Sequence, residues 1–299
     1  MVIQIGRFKM SYTSLAILLV LIAIRVEAAD NSDYFGYSPA EQKLWPKYYP
    51  ECGGTQQSPI AILTRKAINS RAAALNLDDY QKDLPLLRLS NNGHTVNLAI
   101  DEQAIRKGAK PPSISGGNLK GRYQFEGLHF HWGKSDDRGS EHTINNRETV
   151  LELHIVHRNV KYTREEAPRK EDGFVVLAVL YELKKGSGHN LDPIIENLDK
   201  VLEYGSSVLI KPSFNIRYFL GDVDTRRYYQ YQGSLTTPPC SESVTWIIFD
   251  DTLQCSPREL NQLRRLQTIA RDGSVKRLVK NNRALQPLNN RKVYYRTPK

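Results

Sequence analysis

The chain has 299 residues, of which 40% are hydrophobic and 25% charged, and its formal net charge is +10 at pH 7. This composition is typical of globular proteins. The chain has enough apolar residues to build a sizeable core, so disulfides are not essential for its folding. The Lys and Arg residues are scattered, and their densest runs, Arg169-Lys170 and Arg264-Arg265, are short. The excess charge therefore indicates a solvated surface and no nucleic-acid partner.

The first 28 residues are typical of a secretory signal peptide. Arg7 and Lys9 precede an apolar run at residues 15–24, and Val26-Glu27-Ala28 follows it. The alternative, a membrane-spanning helix, needs about 20 apolar residues, roughly twice the length of this run. We predict a signal peptide at residues 1–28, and a secreted, extracellular protein of one domain, residues 29–299, with no membrane anchor.

The elements of this domain begin with a helix at Ser38-Pro39-Ala40-Glu41. The serine is a capping residue, the proline takes the first helical position and the glutamate the third, which together satisfy free amides of a helix start. Alternation and an excess of β-branched and aromatic residues then predict strands at residues 86–90, 95–100, 128–132, 149–156 and 174–183.

A second helix begins at Asp192-Pro193, with apolar residues at helical spacing as far as Leu202 and Gly205 as its stop. A strand at residues 244–249 and a third helix at Ser256-Pro257-Arg258-Glu259 follow. Because strands dominate, we predict a mainly β (α+β) fold, in which short peripheral helices surround a large, twisted and mostly antiparallel central sheet.

Two histidines in one predicted strand point to a metal site. In Leu128-His129-Phe130-His131-Trp132, the alternation of a strand puts both imidazoles on one face and the apolar side chains on the other. By itself such a pair is more often an ordinary polar face. His154, in the next predicted strand, completes a three-nitrogen site if the two strands pair antiparallel. Three protein ligands with an open fourth position are the arrangement of catalytic zinc, and the metalloprotease pattern of two histidines around a glutamate on a helix is absent.

Three cysteines, Cys52, Cys240 and Cys255, are expected to form one disulfide and to leave one thiol in an oxidising compartment. Their spacing alone permits three pairings.

Several motifs in order along the chain resemble the α-class carbonic anhydrases, of the extracellular type. They are His129-Phe-His131-Trp-Gly, Gly139-Ser-Glu141-His142, Glu152-Leu-His154-Ile-Val156-His157, Gly233-Ser-Leu-Thr236-Thr237-Pro-Pro and Asn281-Asn-Arg283. The resemblance implies the reversible hydration of carbon dioxide to bicarbonate and a proton by a zinc-bound hydroxide, with Zn²⁺ on His129, His131 and His154. It also implies inhibition by sulfonamides and a part in pH regulation, and we expect a monomer.

The same resemblance implies roles for further residues. Thr236 accepts the proton of the hydroxide in a hydrogen bond and donates its own to Glu141, while His94 carries protons between the cavity and buffer. Strict alternation would turn His94 to the core side of its strand, so that role requires a bend after Asn92-Gly93. Other matches are a water network at Tyr37, Asn92 and Asn97; hydrogen-bond partners of the ligands at Glu152 and the Asn281 carbonyl; a substrate pocket of Val156, Val176, Leu235, Thr236, Thr237, Val244 and Trp246; and a disulfide between Cys52 and Cys240.

Two positions depart from the family pattern. Gly127 stands where many members carry a glutamine that orients the first ligand, and Glu126 stands where apolar residues often line the cavity. Two non-enzymatic alternatives are a binding module on the same scaffold and an extracellular mineral or matrix protein. The first generally lacks a ligand histidine, and the second is expected to carry an acidic or repetitive tail; neither feature is found in this sequence.

Overall fold

The computed structural model describes residues 34–186, 189–210 and 214–298. The predicted signal peptide at residues 1–28 lies outside them. Within the described ranges, the strands are β1 (Ala61–Ile62), β2 (Ile68–Ser70), β3 (Leu75–Asp78), β4 (Leu87–Asn91), β5 (Val96–Ile100), β6 (Ser113–Gly116), β7 (Tyr123–Trp132), β8 (Thr143–Ile144), β9 (Leu151–Asn159), β10 (Phe174–Leu183), β11 (Ser207–Ile210), β12 (Tyr228–Gly233), β13 (Val244–Cys255), β14 (Gln267–Ile269), β15 (Val275–Arg277) and β16 (Tyr294–Arg296).

A sheet of twelve strands dominates the described part of the chain. Its main path runs β11-β4-β5-β7-β9-β10-β13-β12-β16-β2, and β6 joins it by pairing with β7 and with β3. Neighbours pair antiparallel except for β10 with β13 and β16 with β2, which are parallel. The predicted large, mostly antiparallel sheet is therefore confirmed, and β10 occupies residues 174–183 as expected.

Among the described residues the α-helices are short, and three of the four begin where the sequence predicted, whereas the helix at Glu102–Arg106 was not predicted. These helices are α1 (Pro39–Tyr48), α2 (Glu102–Arg106), α3 (Asp192–Ile195) and α4 (Pro257–Leu263). Both predicted capping boxes form: the Glu41 amide donates to the Ser38 hydroxyl over 3.2 Å, and the Glu259 amide donates to that of Ser256 over 3.2 Å.

The prediction of a continuous helix from Asp192 to Leu202 was wrong beyond Ile195. A single α-helical turn is followed by a 3₁₀ turn at Leu198–Lys200, where the Lys200 amide donates to the carbonyl three residues before it. Leu198 and Val201 are fully buried at a spacing of three residues. A 3₁₀ turn aligns side chains at this spacing, so packing against the core explains why it replaces the regular helix.

The sheet separates two apolar clusters, and the strands that carry the histidines lie between them. Leu128 and Phe130 on β7 belong to the larger cluster, whereas Val176 and Trp246 on the opposite face belong to the smaller one. His129 and His131 alternate with the first pair and so face away from the larger cluster. Among the residues described, no helix has the length and apolar character needed to cross a membrane.

One disulfide joins Cys52, close to α1, to Cys240 in the loop between β12 and β13, with Cα atoms 4.8 Å apart. This is the pairing that the family resemblance implies. Cys255 is a buried free thiol.

Replacing Cys52 and Cys240 together by serine is expected to destabilise the fold by about 3–5 kcal/mol, because the bond closes a loop between cysteines 188 residues apart and so restricts the unfolded chain. Equilibrium urea unfolding measures this loss. Cys255→Ala is the matched control, since it removes a thiol but no cross-link. Equal stability of the double variant and the control would contradict the prediction.

Candidate metal centre and active site

Three imidazoles converge on one face of the sheet. The antiparallel register of β7 and β9 places His129 directly opposite His154, and His131 lies two residues along β7 on the same face. The ring centroids of His129, His131 and His154 are 4.6–5.2 Å apart. One nitrogen from each ring lies within 4.8 Å of the other two, so a single ion can contact all three.

Hydrogen bonds fix the tautomers of two of these rings. His131 Nδ1 lies 2.9 Å from the Asn281 carbonyl oxygen, and His154 Nε2 lies 2.7 Å from Glu152 Oε1. Carbonyl and carboxylate oxygens only accept, so both nitrogens carry the proton and the other nitrogen of each ring keeps a free lone pair. Among the residues described, the buried Nε2 of His131 has no hydrogen-bond partner. Two of the three rings therefore present a lone pair to a cation. Hydrogen-bond partners orient the histidines of metal sites in the same way.

Burial also keeps the three imidazoles neutral. It lowers the pKa of His129 well below 6.5, that of His131 to about 4, and that of His154 in the same direction. Only a neutral imidazole binds a metal ion, so at neutral pH the three histidines can bind one without first losing a proton.

Glu152 holds its position through four hydrogen bonds. It accepts from the amides of Glu141 and His142 over 2.8 and 2.7 Å, and from the rings of His142 and His154 over 2.7 Å each. Burial alone would raise its pKa, but the two histidines hold the pKa of Glu152 well below its usual range. The carboxylate is thus a fixed acceptor behind His154.

Glu141 is buried beside the histidines. Its Oε1 accepts the Arg283 amide over 2.8 Å and lies 3.3 Å from His131 Nδ1, while Oε2 lacks a hydrogen bond of good geometry in the part of the chain that is described. Burial raises the pKa of Glu141 to about 7, and the nearby Thr236 hydroxyl is among the groups that lower it. The loop between β12 and β13 thus brings Thr236 to Glu141, as expected for the family.

The bend that His94 requires is present. Gly93 has a φ of 83°, and Asn92 Oδ1 accepts from the amides of both His94 and Thr95 over 2.9 Å. A Cβ at Gly93 would lie 2.6 Å from the Tyr204 ring, so both conformation and space favour glycine.

The freed His94 ring stacks on Phe35, with centroids 3.8 Å apart and planes 6° apart, and lies edge-on to Tyr37. Burial in this position lowers the pKa of His94 to about 4. The buried Tyr37 hydroxyl has no hydrogen-bond partner within the described ranges, and Asn97 lies opposite His129 in the register of β5 and β7.

Apolar residues form the other side of the site. Val156, Val176 and Trp246 are neighbours across β9, β10 and β13. The Trp246 ring centroid lies 4.7 Å from that of His154, and the Trp246 indole donates to the Ser234 carbonyl over 3.0 Å. Val244 and Leu235 belong to the same apolar cluster, whereas Thr237 is partly exposed in the loop beside Thr236.

Several buried polar residues support this site although the sequence analysis assigned them no role. The His142 ring bonds Glu152 on one side and lies 2.7 Å from the Tyr231 hydroxyl on the other, which in turn donates to Ser58. Arg283 donates to Gln57 Oε1 and to the Ser58 carbonyl. His142 and Arg283 both belong to the family motifs quoted in the sequence analysis, and this membership was the signal that could have identified them. The acceptors around Arg283 are those that a guanidinium needs when it is buried.

Comparison with known proteins identifies the family. The profile of eukaryotic-type carbonic anhydrases matches residues 40–297. The chain is 34% identical to carbonic anhydrase 6 of Bos taurus over 284 residues, which cover 92% of this chain and 84% of the relative. It is 36% identical to carbonic anhydrase 7 of Mus musculus over 251 residues, covering 83% and 91%. The chain therefore belongs to the eukaryotic-type carbonic anhydrases. It is accordingly an enzyme of the lyase class, a carbonate dehydratase.

Proposed function

We propose that the protein catalyses the zinc-dependent, reversible hydration of carbon dioxide to bicarbonate and a proton, with Zn²⁺ on His129, His131 and His154. The convergence of three neutral imidazoles, two of them with lone pairs oriented by hydrogen bonds, is the observation that carries this proposal. Zinc suits a set of three nitrogen donors. Bound there, it supplies a Lewis acid that makes hydroxide available from water at neutral pH.

Thr236 and Glu141 orient the oxygen nucleophile. Glu141 is ionised at neutral pH when positive charge lies nearby, as it does when the histidines hold a divalent cation. An ionised carboxylate only accepts, so the Thr236 hydroxyl donates to it and is left to accept a hydrogen bond from the nucleophile. That bond directs a lone pair of the nucleophile toward the substrate.

The apolar wall favours carbon dioxide as the substrate. Carbon dioxide has no dipole and gains little from polar walls, and Val156, Val176 and Trp246 offer an apolar surface beside His154. We propose that Leu235 and Val244 extend this pocket, with Thr236 and Thr237 at its polar end.

The reaction releases one proton for each carbon dioxide hydrated, and we propose that His94 transfers it to buffer, through water held near Tyr37, Asn92 and Asn97. His94→Ala is expected to retain zinc and to slow turnover roughly 100-fold in dilute buffer, because proton transfer by a positioned group is lost. Stopped-flow hydration in dilute and concentrated buffer measures the effect. Imidazole added to the assay should restore the rate of the variant, and a failure to restore it would count against His94.

The stacked position of His94 predicts its titration. With a pKa of about 4, the partly buried ring stays neutral at neutral pH while it stacks on Phe35, so the proposed proton transfer requires the ring to leave this position. In Phe35→Ala the ring gains water, so its pKa should rise toward the reference of about 6.5. An NMR titration of the histidine ring protons measures this shift, with Tyr48→Ala as the exposed aromatic control. An unchanged pKa in Phe35→Ala would contradict the burial argument.

We further propose that the protein acts outside the cell, after removal of residues 1–28, where it contributes to pH regulation and binds sulfonamide inhibitors. The Cys52–Cys240 bond supports an oxidising compartment. A stopped-flow hydration assay on zinc-loaded protein, with and without a sulfonamide, tests the central proposal. Absence of a sulfonamide-sensitive rate would favour a binding module on the same scaffold instead.

A further inference from the structure

The face that carries the histidines continues into a charged wall. His154, Val156 and Arg158 alternate along β9 and therefore share that face, and Arg158 lies opposite Gln124 of β7. The register of β7 shifts between Phe125 and Gly127 and leaves Glu126 without a partner in the ladder. This irregularity explains why Glu126 turns toward Arg158.

Glu126 joins two arginines. Its Oε1 accepts from Arg158 Nε over 2.7 Å and from Gln124 over 3.3 Å, and its Oε2 accepts from Arg164 Nε over 2.7 Å. Arg164 also donates to Glu102 over 2.7 Å. The side chains of Arg158 and Glu126 are 13% and 15% exposed, whereas that of Arg164 is 52% exposed. The network thus extends from a nearly buried ion pair to a half-exposed guanidinium.

Donors outnumber acceptors in this network. Both oxygens of Glu126 are occupied, whereas each guanidinium has five N–H groups. Arg158 uses Nε and, toward the Tyr162 carbonyl, Nη1, and Arg164 uses Nε and Nη1. In the part of the chain that is described, the Nη2 groups of both arginines donate to no protein acceptor. These two Nη2 groups are therefore available to donate to a ligand.

These side chains line a cleft of about 680 Å³. Ile105, Ala109, Pro111 and Val160 give it an apolar side, and its charged side chains are Arg158, Lys161 and Arg164 against Glu126 and Glu165. Glu165 is already engaged with the Thr163 hydroxyl. An acidic group carried on an apolar body complements this combination.

We propose that Arg158 and Arg164 form a carboxylate-binding subsite beside the face of the sheet that carries the histidines, which takes the acidic end of an elongated ligand whose other end lies at the three histidines. Arg158 lies four positions after His154 on β9, a distance of about 13 Å at roughly 3.3 Å per residue, which suits a substituted aryl ligand. The inference rests on the proposed function, because the metal end of the ligand needs a zinc-loaded site.

The test compares benzenesulfonamides that carry a para carboxylate on zero, one or two methylenes with the carboxamides of the same length. Calorimetry on the zinc-loaded protein should show at least one carboxylate binding roughly fivefold more tightly than its carboxamide, as expected for a half-exposed charge-assisted contact. Arg164→Gln should reduce this preference to less than about twofold. Arg138→Gln removes the same charge at an exposed ion pair with Asp137 and should leave it unchanged.

Equal binding of carboxylates and carboxamides at every length would overturn the proposal, as would an undiminished preference in Arg164→Gln. Unsubstituted benzenesulfonamide reports on the metal end alone, so its failure to bind would refute the proposed function instead. In that event, 4-propylbenzoate compared with 4-propylbenzamide on the zinc-free chain still tests the arginines. A lack of any difference between these two would overturn the subsite independently.

Discussion

His131→Ala is expected to abolish most zinc binding and, with it, most carbon dioxide hydration. His131 is buried, and its Nε2 is oriented by the bond from Nδ1 to the Asn281 carbonyl. Apparent zinc affinities of about 10–16 kcal/mol over four ligands imply roughly 100- to 1000-fold for each ligand lost. Zinc content measured by atomic absorption after dialysis, with the hydration rate on the same samples, gives both quantities.

The matched control removes a histidine far from the site. His189 is an exposed residue that pairs with Asp192, so His189→Ala should keep full zinc content and rate. A thermal melt of each variant separates metal loss from unfolding, because the Asn281 carbonyl loses a buried donor in His131→Ala. Full zinc content in a folded His131→Ala protein would show that the metal binds elsewhere.

Thr236→Ala is expected to retain zinc and to lose roughly 100-fold in hydration rate, since removal of one oriented hydrogen-bonding group at a reacting oxygen typically costs 100- to 1000-fold. The hydration rate falls because the nucleophile has no acceptor that fixes the direction of its lone pair. Zinc is retained because the substitution leaves the three histidines unchanged.

Thr236→Ser is the informative comparison because it keeps the hydroxyl and removes only a methyl group. Its rate should remain within about tenfold of the parent rate. If Thr236→Ala and Thr236→Ser lost the same activity, or if Thr236→Ala lost zinc, the orienting role would be untenable. Stopped-flow rates with zinc analysis distinguish these cases.

Local pattern was sufficient to predict the parts of the site that lie on regular strands. The period of two placed His129 and His131 on one face, and antiparallel pairing of neighbouring strands brought His154 opposite His129. Capping boxes likewise depend on residues three apart, and both formed as predicted. These features require only neighbouring residues or adjacent strands.

Features that depend on tertiary packing could not be predicted from such local patterns. The stacking of His94 on Phe35 joins segments 59 positions apart in the numbering, and the contact of Glu126 with Arg164 depends on an irregularity in β7. The helix predicted after Asp192 yielded to burial of Leu198 and Val201. The disulfide partner of Cys52 came from family resemblance, because spacing left three pairings open.

The hydrogen bonds of Asn281 limit which substitutions this enzyme can accept. Its backbone carbonyl orients His131, its side-chain nitrogen donates to the carbonyls of His94 and Phe130, and its side-chain oxygen accepts the Trp132 amide. A single asparagine thus ties the strand that presents His129 and His131 to the segment that presents His94. We therefore expect substitutions of Asn281 to change metal affinity and proton export together, so that variants altering one of them alone must be sought at other positions.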